Sequence, residues 1–351
     1  MTAALQRRQP NRIACQPADD ALQVTRHKVH EDSSLLHEFR TRSATPVQPL
    51  NQIHGLVEAF VVVASNKSET HGLAFTALQS DSTLLLWPLA IADTQDRNDI
   101  EAALLDSVSE LGDEHQSWFI QSLHTEATLA ERLTQHDDFE HIADLDLMAC
   151  RVPVLGASEP QAPAAHQPRK VRDQREPSIT TFGQSTSTHL GARRSQERSL
   201  NPVTLIDETN ADFLRAYVES QRGSFDCTAL AGHRPPTADL QSFRELNAFD
   251  PNCWFLFKHN NEPVALLLLT PVDPQNKVWE VIYIGVSHKH RRQGWARHAM
   301  TFALESAAQR GADFLTLAVD QANEPAKRLY DSLGFFVHGS LHAVGRLRRE
   351  S

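Results

Sequence analysis

The residues best placed to do chemistry lie where the apolar run Val278 to Val286 (VWEVIYIGV) gives way to a short basic stretch and then to a helical pattern. That junction reads Arg291-Arg292-Gln293-Gly294-Trp295-Ala296. Small residues at Gly294 and Ala296 let a ligand approach the backbone, and the free N–H groups of a helix start can point together at one anion. Lys289, His290, Arg291 and Arg292 add positive charge, although each side chain alone reads equally well as solvated. The chemistry this suits is the cradling of a pyrophosphate. The stretch lacks the lysine and hydroxyl pair of a GxxxxGK[ST] loop and the spacing of GxGxxG, so metal-dependent nucleotide chemistry is not expected.

A second stretch follows the next apolar run: Asn323-Glu324-Pro325-Ala326-Lys327-Arg328-Leu329-Tyr330-Asp331-Ser332-Leu333-Gly334-Phe335. Arg291-x-x-Gly294-x-Ala296 and this N-x-x-A-x-x-L-Y-x-x-x-G-F segment together resemble two signatures of the Gcn5-related N-acetyltransferase (GNAT) superfamily, at the separation that the family shows. The resemblance implies acetyl-coenzyme A as co-substrate and no metal. It places the pantetheine arm along Ile284, Gly285 and Val286, with Gly285 where that strand tends to bulge and a backbone N–H near Val286 facing the oxyanion. The pyrophosphate falls on Arg291, Arg292, Gln293, Gly294, Trp295 and Ala296. Asn323 matches an asparagine that contacts pantetheine.

Two residues match catalytic positions of the family. Tyr330 corresponds to a tyrosine that protonates the departing thiolate, a task that a phenol with an unperturbed pKa near 10 can perform; the alternative is a ring that packs while water supplies the proton. Glu280, the acid embedded in the apolar strand, matches a glutamate that takes the proton of the attacking amine. Burial would raise its pKa into a useful range. The alternatives are a solvent-facing carboxylate and a chain of waters. Asp226, Cys227 and His233 fall in the segment SFDCTALAGHRPP, which shapes the acceptor pocket in relatives; no third orienting group marks a Cys–His nucleophile there.

The elements that must position these residues read β-α-α-β-β-β-α-β-α-β-β from Pro202 onward. Strands are expected at Pro202 to Ile206, Cys253 to Lys258, Val264 to Thr270, Val278 to Val286 and Phe314 to Val319. Helices are expected at Asp212 to Gln221, Thr237 to Leu246, Gly294 to Gln309 and Glu324 to Ser332. A last hairpin would join Phe335 to Val337 with Ala343 to Leu347. The helix after the basic loop puts Ala296, Met300, Leu304 and Ala307 on one face.

Residues 21 to 152 repeat this order. Strands are expected at Ala59 to Ala64, Leu73 to Leu78, Thr83 to Ile91 and Trp118 to Ser122, with helices at Asp99 to Leu111 and Ala127 to Leu133, and DDFEHIADLDLMACRV parallels LGFFVHGSLHAVGRLR. The cradle position here reads ADTQDRNDI. Asp93, Asp96 and Asp99 would repel a pyrophosphate at the helix start, so the copy is read as degenerate. The predicted fold is thus α/β of the α+β type: two GNAT-like domains, each a mixed, mostly antiparallel central sheet flanked by helices, similar in arrangement to tandem members of the superfamily. Boundaries fall at 1–20 (a disordered tail), 21–152 (the degenerate domain), 153–200 (a Pro-, Ser- and Arg-rich disordered linker) and 201–351 (the catalytic domain).

Bulk properties agree with two globular units. The chain has 351 residues, 40% of them hydrophobic, and a net charge of −10, which disfavours a general nucleic-acid binder. Four widely spaced cysteines, Cys15, Cys150, Cys227 and Cys253, give neither a disulfide framework nor a zinc spacing. Without an apolar run of spanning length, a soluble, cytoplasmic protein with no membrane partner is expected. The expected function is acetyl transfer to a primary amine of a small molecule or protein. A non-catalytic coenzyme A-binding regulatory or scaffold protein is the alternative.

Overall fold

The computed structural model of the protein describes residues 21–67, 69–153, 202–205, 210–245, 249–273, 275 and 277–348. The tail of residues 1–20 and nearly all of the linker at 153–200 lie outside the described residues.

In the N-terminal half the elements are β1 (Gln23–Lys28), α1 (Ser34–Arg42), β2 (Leu56–Ser65), β3 (Thr70–Gln79), β4 (Thr83–Leu86), β5 (Ala90–Ile91), α2 (Arg97–Glu114), β6 (Phe119–His124), α3 (Ala127–Leu133) and β7 (Glu140–Arg151). The C-terminal half holds β8 (Pro202–Thr204), α4 (Asn210–Gln221), α5 (Pro236–Glu245), β9 (Trp254–His259), β10 (Glu262–Asp273), β11 (Val278–Val286), α6 (Trp295–Gln309), β12 (Phe314–Asp320), α7 (Glu324–Ser332) and β13 (Phe336–Leu347). Most differences from the sequence reading are shifts at element ends, but two have a physical cause. The run Thr83 to Ile91 is broken at Trp87-Pro88, because proline cannot donate to a ladder, and β5 turns back onto β3 at Gly72 and Leu73. Pro236, not Thr237, opens α5, using the first-turn position where the missing N–H costs nothing.

All strands belong to one sheet, in the order β1-β2-β3-β4-β6-β13-β7-β12-β11-β10-β9-β8, with β5 beside β3. Read inward from either edge the order is the same, and each half contains one parallel pair, β4 with β6 and β11 with β12. The centre departs from the expectation of two separately closed sheets. β7, the last strand of the N-terminal half, pairs with β12 of the C-terminal half from Arg151 opposite Phe314 to Leu145 opposite Asp320. β13 crosses the other way and pairs with β6, Leu347 lying opposite Phe119. The halves have exchanged their closing strands.

The expected final hairpin is likewise one strand. Its polar middle, His338-Gly339-Ser340, makes an irregularity against β7 between Val337 and Gly339 instead of a turn. Exchange carries the cores with it: Met148, Cys150 and Val152 pack with Leu315, Leu317 and Phe335 of the C-terminal half, whereas Val344 of β13 joins Leu104, Val108 and Ile120 of the N-terminal half. On α6 the buried stripe is Trp295, Ala299, Met300, Ala303, Ser306 and Ala307, so the expected Ala296 and Leu304 sit at its margins. Its alanines let the helix lie close on the sheet.

Candidate active site

The parallel pairing of β11 and β12 covers only Val278 to Glu280 against Phe314 to Thr316. Beyond Glu280 the two strands part, and β11 runs on to Val286 with β10 alone as its neighbour. Ser287 N–H donates to Val264 C=O at 2.9 Å, and Val286 lies opposite Ala265. Antiparallel pairs alternate between bonded and non-bonded, so the backbone groups of Val286 and Ile284 turn away from β10 into the opening. This is the splayed edge that the sequence assigned to Ile284, Gly285 and Val286, but the irregularity in β11 lies at Ile282, between Val281 and Tyr283, and not at Gly285. Gly285 is required for close approach instead: a Cβ there would stand 2.4 Å from the Ser220 hydroxyl oxygen of α4.

At the end of β11 the basic loop leads into α6. Gly294 is the residue before the helix and is left-handed at φ 88°, with nothing within 4 Å of the space its Cβ would take. Arg292 is left-handed too, at φ 63°, an uncommon conformation for a side-chain-bearing residue and one that accompanies anion-binding turns. The first bond of the helix runs from His298 N–H to Gly294 C=O at 3.1 Å, which leaves the N–H groups just before it without intrahelical acceptors. Arg292, Gln293 and Gly294 are exposed.

Two side chains of the loop do other work. Arg291 donates to Ser220 C=O at 2.7 Å, to Gly223 C=O at 2.6 Å and to Val286 C=O at 3.4 Å, fastening the end of α4 to the loop. Trp295 is only 4% exposed, packed in the core, so that its backbone alone faces outward. In the N-terminal half, Asp96 precedes α2, Asp99 lies in its first turn, and the stretch Asp93 to Asp99 contains no glycine.

Glu280 occupies the last paired position before the strands part, and burial alone lifts its carboxyl above the usual carboxylate range. Tyr330 on α7 is buried beside Phe335; burial first, and then the Asp226 charge, hold its phenol protonated. Asn323 caps α7, accepting from Ala326 N–H at 3.4 Å, and its amide also bonds to the Asp226 carboxylate.

Asp226 is the acid that sequence reasoning set aside. Its Oδ1 accepts from Asp320 N–H at 3.3 Å, while Cys227 N–H donates to Asp320 Oδ2 at 3.0 Å. These bonds hold the segment after α4 against the end of β12. Solvent reaches Asp226, yet the protein around it holds its carboxyl above the usual range, by burial first and by the charge of Asp320 next. Tyr283 was also missed: its hydroxyl lies 2.7 Å from Ser220 Oγ and accepts from Gln221 Nε2 at 3.1 Å. Cys227 does not form a nucleophile pair. Its thiol is pushed up to about 12 by burial and by Asp226 and Asp320, and His233 is exposed on the surface.

Residues 217–335 match the Acetyltransferase (GNAT) family. This stretch is a GNAT domain. N-acetyltransferase family 8 member 3 of Rattus norvegicus is 30% identical over 102 residues, a match spanning 28% of this chain and 45% of that protein. Among solved structures, a GCN5-related N-acetyltransferase from Sphaerobacter thermophilus superposes with a TM-score of 0.55 at 15% identity, covering 93% of this chain and 96% of that one. A GCN5-related glucosamine N-acetyltransferase region of a fungal multi-domain GH3 β-N-acetylglucosaminidase gives a TM-score of 0.56 at 11% identity, over 95% of this chain and 39% of that one. Both likenesses extend over the two halves, so the arrangement is a tandem GNAT fold.

Among the described residues no helix is long and apolar enough to cross a membrane, and no group of three or more His, Cys, Asp or Glu side chains is arranged to hold a metal ion. The sequence placed Asp226 only within the segment that shapes the acceptor pocket in relatives, and gave Tyr283 no role. Nothing in their spacing marks them, because one faces α4 and the other is brought in by a loop.

Proposed function

We propose that the C-terminal GNAT domain transfers an acetyl group from acetyl-coenzyme A directly to a primary amine. The observation that supports this best is the conjunction of parted strands with a glycine-opened helix start at the end of one of them. N–H groups from Gln293 to Ala296 bind the coenzyme pyrophosphate, and Arg291 contributes by holding the loop. The pantetheine arm lies along the open edge at Ile284 and Val286, which brings the thioester toward Tyr330. Glu280 takes the ammonium proton, the neutral nitrogen attacks the thioester carbonyl carbon, and Val286 N–H faces the developing oxyanion. The C–S bond then breaks, the thiolate takes a proton from Tyr330, and the second proton lost from the nitrogen restores the tyrosine, leaving the amide, the free thiol and protonated Glu280. Asp93, Asp96 and Asp99 leave the N-terminal half without coenzyme.

Calorimetric titration of the full chain with acetyl-coenzyme A tests the reading. One site per chain is expected, and none after Gly294→Glu, which fills the open space at the cradle with a carboxylate. Two sites would overturn the assignment of the N-terminal half, and no binding would overturn the whole.

A further inference from the structure

The segment between α4 and α5 spans the mouth of the opening. At its start Ser220 is tied to Tyr283 of β11 and, through its carbonyl, to Arg291; at its end Asp226 and Cys227 are tied to Asp320 of β12. It continues as a short 3-10 turn at Thr228–Leu230, whose Ala229 and Leu230 pack with Ile142, Ala143 and Phe119 of the central strands. A segment pinned at both ends holds its side chains in fixed places. Two of them, Phe225 at 58% exposure and Asp226, remain open to solvent.

We infer that Asp226 holds, at the mouth of the cleft, a second ammonium of a small diamine or polyamine acceptor whose other, primary nitrogen reaches Glu280, with Phe225 covering part of its carbon skeleton. This rests on the proposed acetyl transfer and narrows its acceptor to a small primary amine that carries a second cationic nitrogen beyond an apolar spacer. Asp226 makes no ion pair with a lysine or arginine among the described residues; its Oδ1 takes only a long backbone bond, and the Asn323 amide is a neutral donor. The remaining lone pairs of the carboxylate therefore face solvent, where an ammonium supplies the missing charge. Tyr330 and Tyr283 both feel the Asp226 charge and Glu280 does not, which sets it at the outer end of the opening. Phe225 adds an aromatic face suited to an alkyl or aryl chain and to the cation itself.

The test uses the full chain, acetyl-coenzyme A, and 2-phenylethylamine, n-butylamine and spermidine as probe amines, following release of the coenzyme thiol. Spermidine should be preferred over the two monoamines. Asp226→Asn is expected to raise the spermidine KM at least tenfold while acetyl-coenzyme A affinity stays within about twofold, and Asp226→Glu should recover part of the loss. Glu280→Gln should act on kcat instead. An unchanged amine KM in Asp226→Asn overturns the inference, and so does a wild-type protein that binds acetyl-coenzyme A yet acetylates none of the probes. Failure to bind acetyl-coenzyme A at all would instead mark the proposed function as wrong, and this inference would fall with it.

Discussion

Burial raises both the Glu280 carboxyl and the Tyr330 phenol, and in the proposed transfer the two shifts would serve opposite tasks. Raising a carboxyl makes it a better proton acceptor near neutral pH, whereas raising a phenol keeps the proton in place until a thiolate needs it. For acetyl transfer, the rate of the wild type should climb as pH rises through the elevated Glu280 pKa, and Glu280→Gln should lose that limb together with about 100-fold in kcat. Tyr330→Phe should lower kcat by a similar factor with acetyl-coenzyme A affinity retained. A pH–rate profile for the three proteins is the measurement. If both variants turn over at wild-type rates, neither residue has the role assigned to it. Gly285 corrects the sequence reading through packing, keeping its place because a helix hydroxyl lies against it rather than because the strand bulges there, and the Trp295 ring anchors α6 in the core.

Among the elements, the segment from α4 to α5 depends on both halves of the chain. Arg234, just before α5, donates to Asp81 Oδ2 in the turn between β3 and β4 at 3.0 Å, and Ser242 of α5 donates to the same oxygen at 2.6 Å. Thr83 N–H donates to Asp81 Oδ1 at 2.9 Å, and the Arg234 guanidinium lies over the Trp118 ring at 4.7 Å. Side-chain exposure is only 11% for Arg234 and 3% for Asp81. Asp81→Ala leaves Arg234 only the longer ion pair with Asp239, at 3.7 Å, and Ser242 without its acceptor, so it should cost about 2 kcal/mol of stability. Denaturant unfolding reads the loss, and proteolysis between residues 222 and 235 should quicken in parallel. A midpoint that does not move would mean that this ion pair holds nothing in place.

For the molecule as a whole, strand exchange makes the halves interdependent. Residues 202–348 expressed alone would leave β12 as a bare parallel-sheet edge on the side where β7 belongs, and β13 without either neighbour. That fragment is expected to aggregate, while co-expression with residues 21–153 should yield a soluble one-to-one complex that binds acetyl-coenzyme A like the intact chain. Size-exclusion chromatography and titration check this; a soluble, coenzyme-binding fragment on its own would show that the exchange is dispensable. The N-terminal half thus gives the C-terminal half one of its strands, β7, and a packing surface for the segment between α4 and α5.

Local chemistry wrote much of this into the chain. The alternation of VWEVIYIGV, the glycine before WARHAM and the spacing of Asn323, Tyr330 and Gly334 mark strands, a helix start and a GNAT domain, because each depends on neighbours a few residues apart. The repeat of element order likewise disclosed two related halves. Nothing local says that β7 and β13 trade places: each has the same alternating pattern and would satisfy either sheet, and the choice rests on contacts between residues more than 160 positions apart. The same holds for Asp226, an unremarkable acid in a polar loop until folding sets it against the end of β12, and for Ile284 and Val286, whose outward-facing backbone is fixed by register against β10. Long-range pairing, which propensity and spacing do not encode, assembled the site from those parts.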